Sequence, residues 1–321
     1  SRDRTTTGMP PLTERESMSP TTRSRWPAIP KWSPISYVER SDTSTSPAFG
    51  SAATFALESL LARTPADAYA DLGFRTISTN PCGELPLCAY DSCRLMVINL
   101  YKFVRDRFTR AARFMWDEFR AVVRKAQRLM DDLVDLEIEA VDRIIAKVEA
   151  DAEPDDVKRV ELGLWRKIRE KAALGRRTGL GITGLGDCLA ALGVRYGSQE
   201  SVRWTEDIYR TLAVESYRSS CVMAQERGAF PIYDWERERD HEFLRQVREA
   251  DPELDALWRA HGRRNIANTT TAPAGTTSTQ TRTTSGIENV WELVLVRRRK
   301  LSDAEVKALE AAGRLDALLG L

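Results

Sequence analysis

Asn80-Pro81-Cys82-Gly83-Glu84 is the stretch on which the reading of this chain turns. It sets an amide, a thiol and a carboxylate at alternate positions. Pro81 removes a backbone donor and Gly83 frees the backbone, so a helix is disfavoured. In an extended segment, side chains at i, i+2 and i+4 point to one side. The spacing therefore predicts that Asn80, Cys82 and Glu84 face one small space together. A thiol with a base and a hydrogen-bonding amide beside it is an arrangement for chemistry.

Cysteine usage supports this reading. The chain has 321 residues and five cysteines, at 82, 88, 93, 188 and 221. Three of them within twelve positions do not form the framework of a small secreted domain. A cytoplasmic protein with working thiols fits better, and no signal peptide is visible. With only His241 and His261, a histidine-based metal site is not expected. The C-x5-C-x4-C spacing of Cys82, Cys88 and Cys93 matches no common zinc pattern, so no metal ligands are assigned. A net charge of +1 gives no field that draws the chain to nucleic acid or membrane. No run of 18 apolar residues predicts a membrane span. The sequence starts at Ser1, which reads as a fragment or a processed product.

Residues 1–50 hold 24 Ser, Thr or Pro residues, including half of the chain's 14 prolines. They read as a low-complexity, disordered extension, with residues 51–321 as the folded domain. Residues 52–70 have helical propensity interrupted by Pro65. Leu95–Leu100 is an apolar run suited to a buried strand or a helix start. A long helix is predicted over roughly 101–150, with Phe108, Ala112, Met115, Phe119, Val122, Ala126, Leu129 and Leu133 as its buried stripe. Asp131, Asp132 and Asp135 read as a solvated face. Pro154 ends that helix, and a second follows over about 155–173. Gly179–Gly184 spells G-x-G-x-x-G, but a charged helical stretch precedes it. Tight backbone packing at a helix entry is preferred to a dinucleotide site. Further helices are predicted over 201–227, 236–260 with a break near Pro252, and 302–319. Cys188 and Cys221 lie inside helices as small buried groups. The basic run Arg297–Lys300 reads as solvated surface.

The second informative stretch is Asn268–Ser278. From 269 to 285, 11 of 17 residues are Thr or Ser. A low-complexity linker has this composition. So does a loop that offers N–H and O–H groups to phosphate oxygens, above all if a helix starts just after Gly275.

Three segments, in order, resemble the ribonucleotide reductase large chain, and most closely its adenosylcobalamin-dependent class. Asn80–Glu84 is similar to that class's N-P-C-G-E. Tyr90-Asp91-Ser92-Cys93 with Ile98-Asn99-Leu100 is similar to its continuation. Thr271–Thr276 with Ser285-Gly286-Ile287-Glu288 is similar to its A-P-T-G-T…S-G-I-E stretch. Gly179–Tyr196 and Arg263–Asn268 also read like the family, and the likeness covers roughly residues 53–300. The 11-residue step from Cys82 to Cys93 favours the cobalamin class.

The resemblance implies an α/β fold, part of a ten-stranded barrel with long helices, with residues 51–321 as a partial catalytic barrel domain. It implies reduction of ribonucleotides to 2′-deoxyribonucleotides, with a thiyl radical on Cys82 taking the 3′ hydrogen. Glu84 would be the base on the 3′-OH, Asn80 a ribose ligand, and Cys93 one of the reducing pair. Ala272, Pro273, Ala274, Gly275, Thr276, Thr277 and Ser278 would cradle the substrate phosphates. The implied cofactor is adenosylcobalamin. The implied partners are the ribonucleotide, an external dithiol reductant of the thioredoxin type, and in the complete form a homodimer or monomer. Three features depart from the pattern. Residues 1–81 contain no cysteine for the pair, and Cys88 is no obvious substitute. The family's nucleotide-sensing N-terminal part and cysteine-bearing tail have no counterpart. Ala274 and Asn289 stand where Thr and Pro are usual. A non-catalytic nucleotide-binding remnant is the alternative.

Overall fold

A computed structural model describes residues 64–92, 94–290 and 301–314. The extension 1–50, the start of the 52–70 helix, Cys93, the Arg297–Lys300 run and the end of the last predicted helix lie outside the described residues. The described chain opens with a 3-10 helix, Pro65–Leu72, with Pro65 at its start. A short antiparallel pair follows, β1 (Ser78–Thr79) with β2 (Pro86–Leu87), in register Ser78↔Leu87. The apolar run then forms β3 (Leu95–Asn99). A 3-10 turn, Leu100–Phe103, leads into the antiparallel pair β4 (Val104–Arg105) and β5 (Arg113–Phe114). Helices α1 (Trp116–Ala150) and α2 (Asp155–Gly175) come next, then β6 (Gly179–Thr183).

β3 and β6 pair in parallel, from Leu95↔Gly179 to Asn99↔Thr183. Parallel neighbours need a long crossover, and α1 and α2 supply it. A third parallel segment continues the sheet beyond β6. Thr178 N–H donates to Ala267 O (2.9 Å), Leu180 N–H to Asn268 O (2.8 Å) and Thr270 N–H to Leu180 O (3.0 Å). The crossover to it carries α3 (Leu185–Ala191), α4 (Gln199–Arg227), α5 (Trp235–Glu238), α6 (Glu242–Glu249) and α7 (Pro252–His261). After it come α8 (Gly275–Thr281) and α9 (Asp303–Ala311). Strands alternating with helices and lying in parallel make this an α/β arrangement. No helix among the described residues is long and apolar enough to cross a membrane.

Two sequence expectations for α1 are corrected. The helix begins at Trp116, because residues 104–114 form a hairpin, and Phe108 stands exposed at its turn with φ +60°. The buried stripe is Phe119, Val123, Ala126, Met130 and Val134, while Val122, Leu129 and Leu133 are exposed. Steps of three and four residues describe both rows, which adjoin on the helix surface. Which row turns inward depends on the packed neighbours.

Asp131 is also no solvated residue: its carboxylate is fully buried. Oδ1 accepts from Arg176 Nε and Asn265 Nδ2, both at 2.8 Å. Oδ2 faces Arg264 at 3.4 Å and Arg227 at 3.5 Å. Arg176 also holds Asp135 (2.7 Å), and Arg227 holds Asp132 (2.8 Å). The three carboxylates lie within 4.8 Å of one another, so these arginines balance their charge. Burying a charge is tolerable only with such pairing.

Gly179 and Gly181 occupy a strand, which the preceding helix α2 hid from a reading of local pattern, while Gly184, at φ +72°, is the N-cap of α3. The tight packing expected of them is present, between strands. A Cβ on Gly181 would lie 2.4 Å from the Thr270 carbonyl oxygen, and one on Gly179 would lie 2.8 Å from Arg94 O. Gly181→Ala is expected to destabilise the fold by about 1–3 kcal/mol through overpacking. Gly163→Ala, in the interior of α2 where a Cβ meets nothing within 4 Å, is expected to stabilise it by roughly 0.5–1 kcal/mol. Urea unfolding of the two variants checks both signs.

Candidate active site

The thiol stretch is the loop between β1 and β2. It is a turn, where an extended run was expected. Asn80 N–H donates to Leu85 O (3.0 Å) and Gly83 N–H to Asn80 O (2.9 Å). Asn80 Oδ1 accepts the Leu85 N–H at 2.9 Å. Gly83 sits at φ +83°, where a side chain would be strained. The turn breaks the alternation that placed three side chains on one face. Asn80 is buried and shapes the loop from within. Cys82 is exposed, Glu84 is half-buried, and both face a cavity of about 310 Å³.

Three separate motifs line that cavity: Cys82, Gly83 and Glu84; Thr271, Ala272 and Pro273; and Ser285, Gly286, Ile287 and Glu288. Residues 268–271 continue the third parallel segment, so the cavity lies beyond its carboxyl end, where open α/β sheets place their ligands. The 284–286 stretch is fastened to the end of β6. Gly184 N–H donates to Thr284 O (3.1 Å), Leu185 N–H to Gly286 O (3.2 Å), and Gly286 N–H to Thr183 Oγ1 (3.2 Å). Ala274 N–H donates to Ser285 Oγ at 3.1 Å, which ties the second motif to the third.

The predicted phosphate loop divides. Thr271, Ala272 and Pro273 reach the cavity. Ala274 precedes α8, which starts at Gly275, so the helix start that would favour the phosphate reading is present. Thr276 and Thr277 are exposed on that helix, and Ser278 turns its hydroxyl inward to Gly275 O (2.8 Å). Gly275 and Ser278 thus do not line the cavity. Cys93, the expected reducing thiol, lies outside the described residues.

Three contributions escape the sequence reading. Ser285–Glu288 line the cavity although only their motif resemblance drew notice. Tyr209 of α4 meets Thr271 Oγ1 at 2.8 Å, and burial raises the pKa of its phenol. Thr270 Oγ1 donates to the Glu84 carbonyl at 3.0 Å. The last two join residues 62 and 186 positions apart, and no local pattern announces them.

Both Glu84 carboxylate oxygens are shielded from solvent and have no hydrogen-bond partner among the described residues. An acceptor left open in this way suits a ligand hydroxyl. The other described thiols are sealed. Cys88 is buried with its Sγ 3.6 Å from Asp91 Oδ2, and burial, then Asp91, pushes its pKa up to about 11. Burial pushes Cys188 up to about 12, and it raises Cys221 as well. Both are fully buried helical groups, as expected.

With this geometry in hand, comparison with known proteins places the chain. Residues 73–316 match the family described as ribonucleotide reductase, barrel domain. The chain belongs to that family. It is 33% identical over 223 residues to a Mycobacterium tuberculosis protein named vitamin B12-dependent ribonucleoside-diphosphate reductase, covering 70% of this chain and 25% of that one. A Thermoplasma acidophilum protein of the same name is 30% identical over 223 residues, covering 68% of this chain and 23% of its own. A solved structure, the Actinobacillus ureae class Id ribonucleotide reductase alpha subunit, aligns with 78% of this chain and 38% of its own at 18% identity and TM-score 0.44. The chain spans about a quarter of the length of the curated relatives it matches.

The thiols give a direct test of the site. Iodoacetamide at neutral pH is expected to label Cys82 in the native chain. A thiol pushed up to about 11 carries roughly a hundredfold less thiolate than an ordinary one. Cys88, Cys188 and Cys221 should therefore react only after unfolding, as peptide mapping by mass spectrometry reads out.

Proposed function

We propose that this chain carries the radical-site part of a ribonucleotide reductase barrel, within residues 51–321, and reduces ribonucleotides to 2′-deoxyribonucleotides through Cys82. Residues 1–50 are an extension outside that domain. The observation that carries the reading is the convergence of three motifs on one cavity, with an exposed thiol in its wall and a carboxylate that has no partner among the described residues.

A ribose 3′ C–H is not acidic, so a base alone cannot open the reaction. Adenosylcobalamin, when bound, supplies the one-electron chemistry that makes a thiol a hydrogen-abstracting radical. The residues fit such a group: Cys82 is exposed at the cavity and can face it. The Cys82 sulfur then takes the 3′ hydrogen and returns it at the end. Glu84 accepts the 3′-OH proton as the 2′-OH departs as water, which requires hydrogen-bond reach. Two thiols, Cys93 being one, give two electrons and two protons and close to a disulfide. An external dithiol of the thioredoxin type reopens it by exchange.

Asn80 holds the loop's shape and is the ribose ligand of this reading. Thr271, Ala272, Pro273 and Ser285–Glu288 form the wall against the nucleotide. The N–H groups of 275–277 at the start of α8 and the exposed Thr276 and Thr277 hydroxyls are the phosphate contacts of this reading. A cytoplasmic location, and a homodimer or monomer in the complete enzyme, belong to the same proposal.

The test is a reduction assay with ribonucleoside di- and triphosphates, adenosylcobalamin and a dithiol. Cys82→Ser is expected to give no deoxyribonucleotide. Glu84→Gln should lower kcat by about 10²–10⁴, the usual worth of a positioned base. Equal product from Cys82→Ser and the unaltered chain overturns the assignment. Nucleotide binding without product in the unaltered chain favours the non-catalytic reading.

A further inference from the structure

The Glu84 carboxylate has no partner among the described residues, so its aim into the cavity must come from its backbone. The Asn80–Leu85 and Asn80–Gly83 hydrogen bonds close on the loop itself. They give the loop its shape but do not fix where it stands on the domain. Thr270 Oγ1 does reach it from outside, donating to the Glu84 carbonyl at 3.0 Å across 186 residues.

Thr270 is itself held on both sides. Its N–H donates to Leu180 O at 3.0 Å. Its carbonyl lies so close to residue 181 that only glycine fits there. Its side chain is buried at the sheet, with Cγ2 against Gly179. A hydroxyl on so confined a segment has little freedom to follow a moving loop. Its neighbour Thr271 lines the cavity and meets Tyr209 from the helical side. One dipeptide thus touches both the thiol loop and the wall of the nucleotide cavity.

The geometry points to Thr270 as a positioning residue, whose hydroxyl clasps the Cys82–Glu84 loop to the third parallel segment and sets Glu84 against the cavity. This rests on the reading of Cys82 and Glu84 as the reacting residues. Thr270 touches neither substrate nor cofactor in this role. It acts through the Glu84 backbone.

Hydrogen exchange tests the clasp without substrate or cofactor. Thr270→Val keeps the shape and removes the hydroxyl. It should speed exchange of the Gly83 and Leu85 amides about five- to tenfold, the usual worth of one hydrogen bond, with the 179–183 amides unchanged. Thr270→Ser keeps the hydroxyl and should restore the slow rates. Unchanged exchange in Thr270→Val overturns the clasp. Should that variant loosen 179–183 as well, Thr270→Ser decides, because fast exchange of the loop with the hydroxyl present also overturns it. In the reduction assay kcat should fall about tenfold in Thr270→Val while KM stays within about twofold, since a misplaced base costs rate. A change confined to KM overturns the positioning role. If Cys82→Ser stays active while the exchange result holds, the clasp stands and the catalytic reading falls.

Discussion

The close approach of Thr270 to β6 is the constraint from which the site follows. A Cβ at residue 181 would come within 2.4 Å of the Thr270 carbonyl oxygen. The bare backbone at Gly181 lets the third segment lie flush, so that Thr270 N–H reaches Leu180 O and Leu180 N–H reaches Asn268 O. That contact fixes the direction in which Thr270 and Thr271 emerge. One then points to the thiol loop and the other to the cavity. The sequence gives up β-propensity at 179 and 181 to obtain this approach.

Charge pairs place the entry to the same segment. On one side Asp131 accepts from Arg176 and Asn265. On the other, the fully buried Glu238–Arg263 pair is completed by the Tyr69 hydroxyl at 2.6 Å, and Arg263 also donates to Asn265 O. Gln127 Nε2 bridges Asn265 Oδ1 (3.1 Å) and Thr178 Oγ1 (3.0 Å), which links the segment's start to that of β6. Buried ion pairs give little net stability against an apolar core of similar shape. Their value here is directional, since hydrogen bonds to fixed guanidinium forks admit few alternative registers.

How much of this could be read from sequence follows from the range of each interaction. Helix α2, the end of α4 at Gly228 and the start of α7 at Pro252 are set by local caps and breakers, and they were legible. The motifs around Cys82, Thr271–Pro273 and Ser285–Glu288 were legible as residue types. The structure adds that they meet. The buried row of α1, the strand at 179–183 and the burial of Asp131 were misread, because each depends on a partner far along the chain. The shared face of Asn80, Cys82 and Glu84 was misread for a different reason. Gly83 at positive φ makes a turn where alternation assumed a strand.

One carboxylate stands apart from the other buried acids. Buried acids in this chain meet arginines: Asp131 with Arg176, Glu238 with Arg263, and Asp91 with Arg177 at 2.6 Å. With 48 Lys and Arg residues available, the sequence has ample means to pair a buried acid. At Glu84 both oxygens are shielded and neither has a partner among the described residues. An orphaned buried acceptor costs about 1–3 kcal/mol, and such costs concentrate at sites that await a ligand. The cost is sustained by a loop held through its backbone, which leaves the side chain uncommitted. A carboxylate paired to an arginine would already be occupied. With its main-chain carbonyl held by Thr270, Glu84 has both carboxylate oxygens open to a ligand among the described residues.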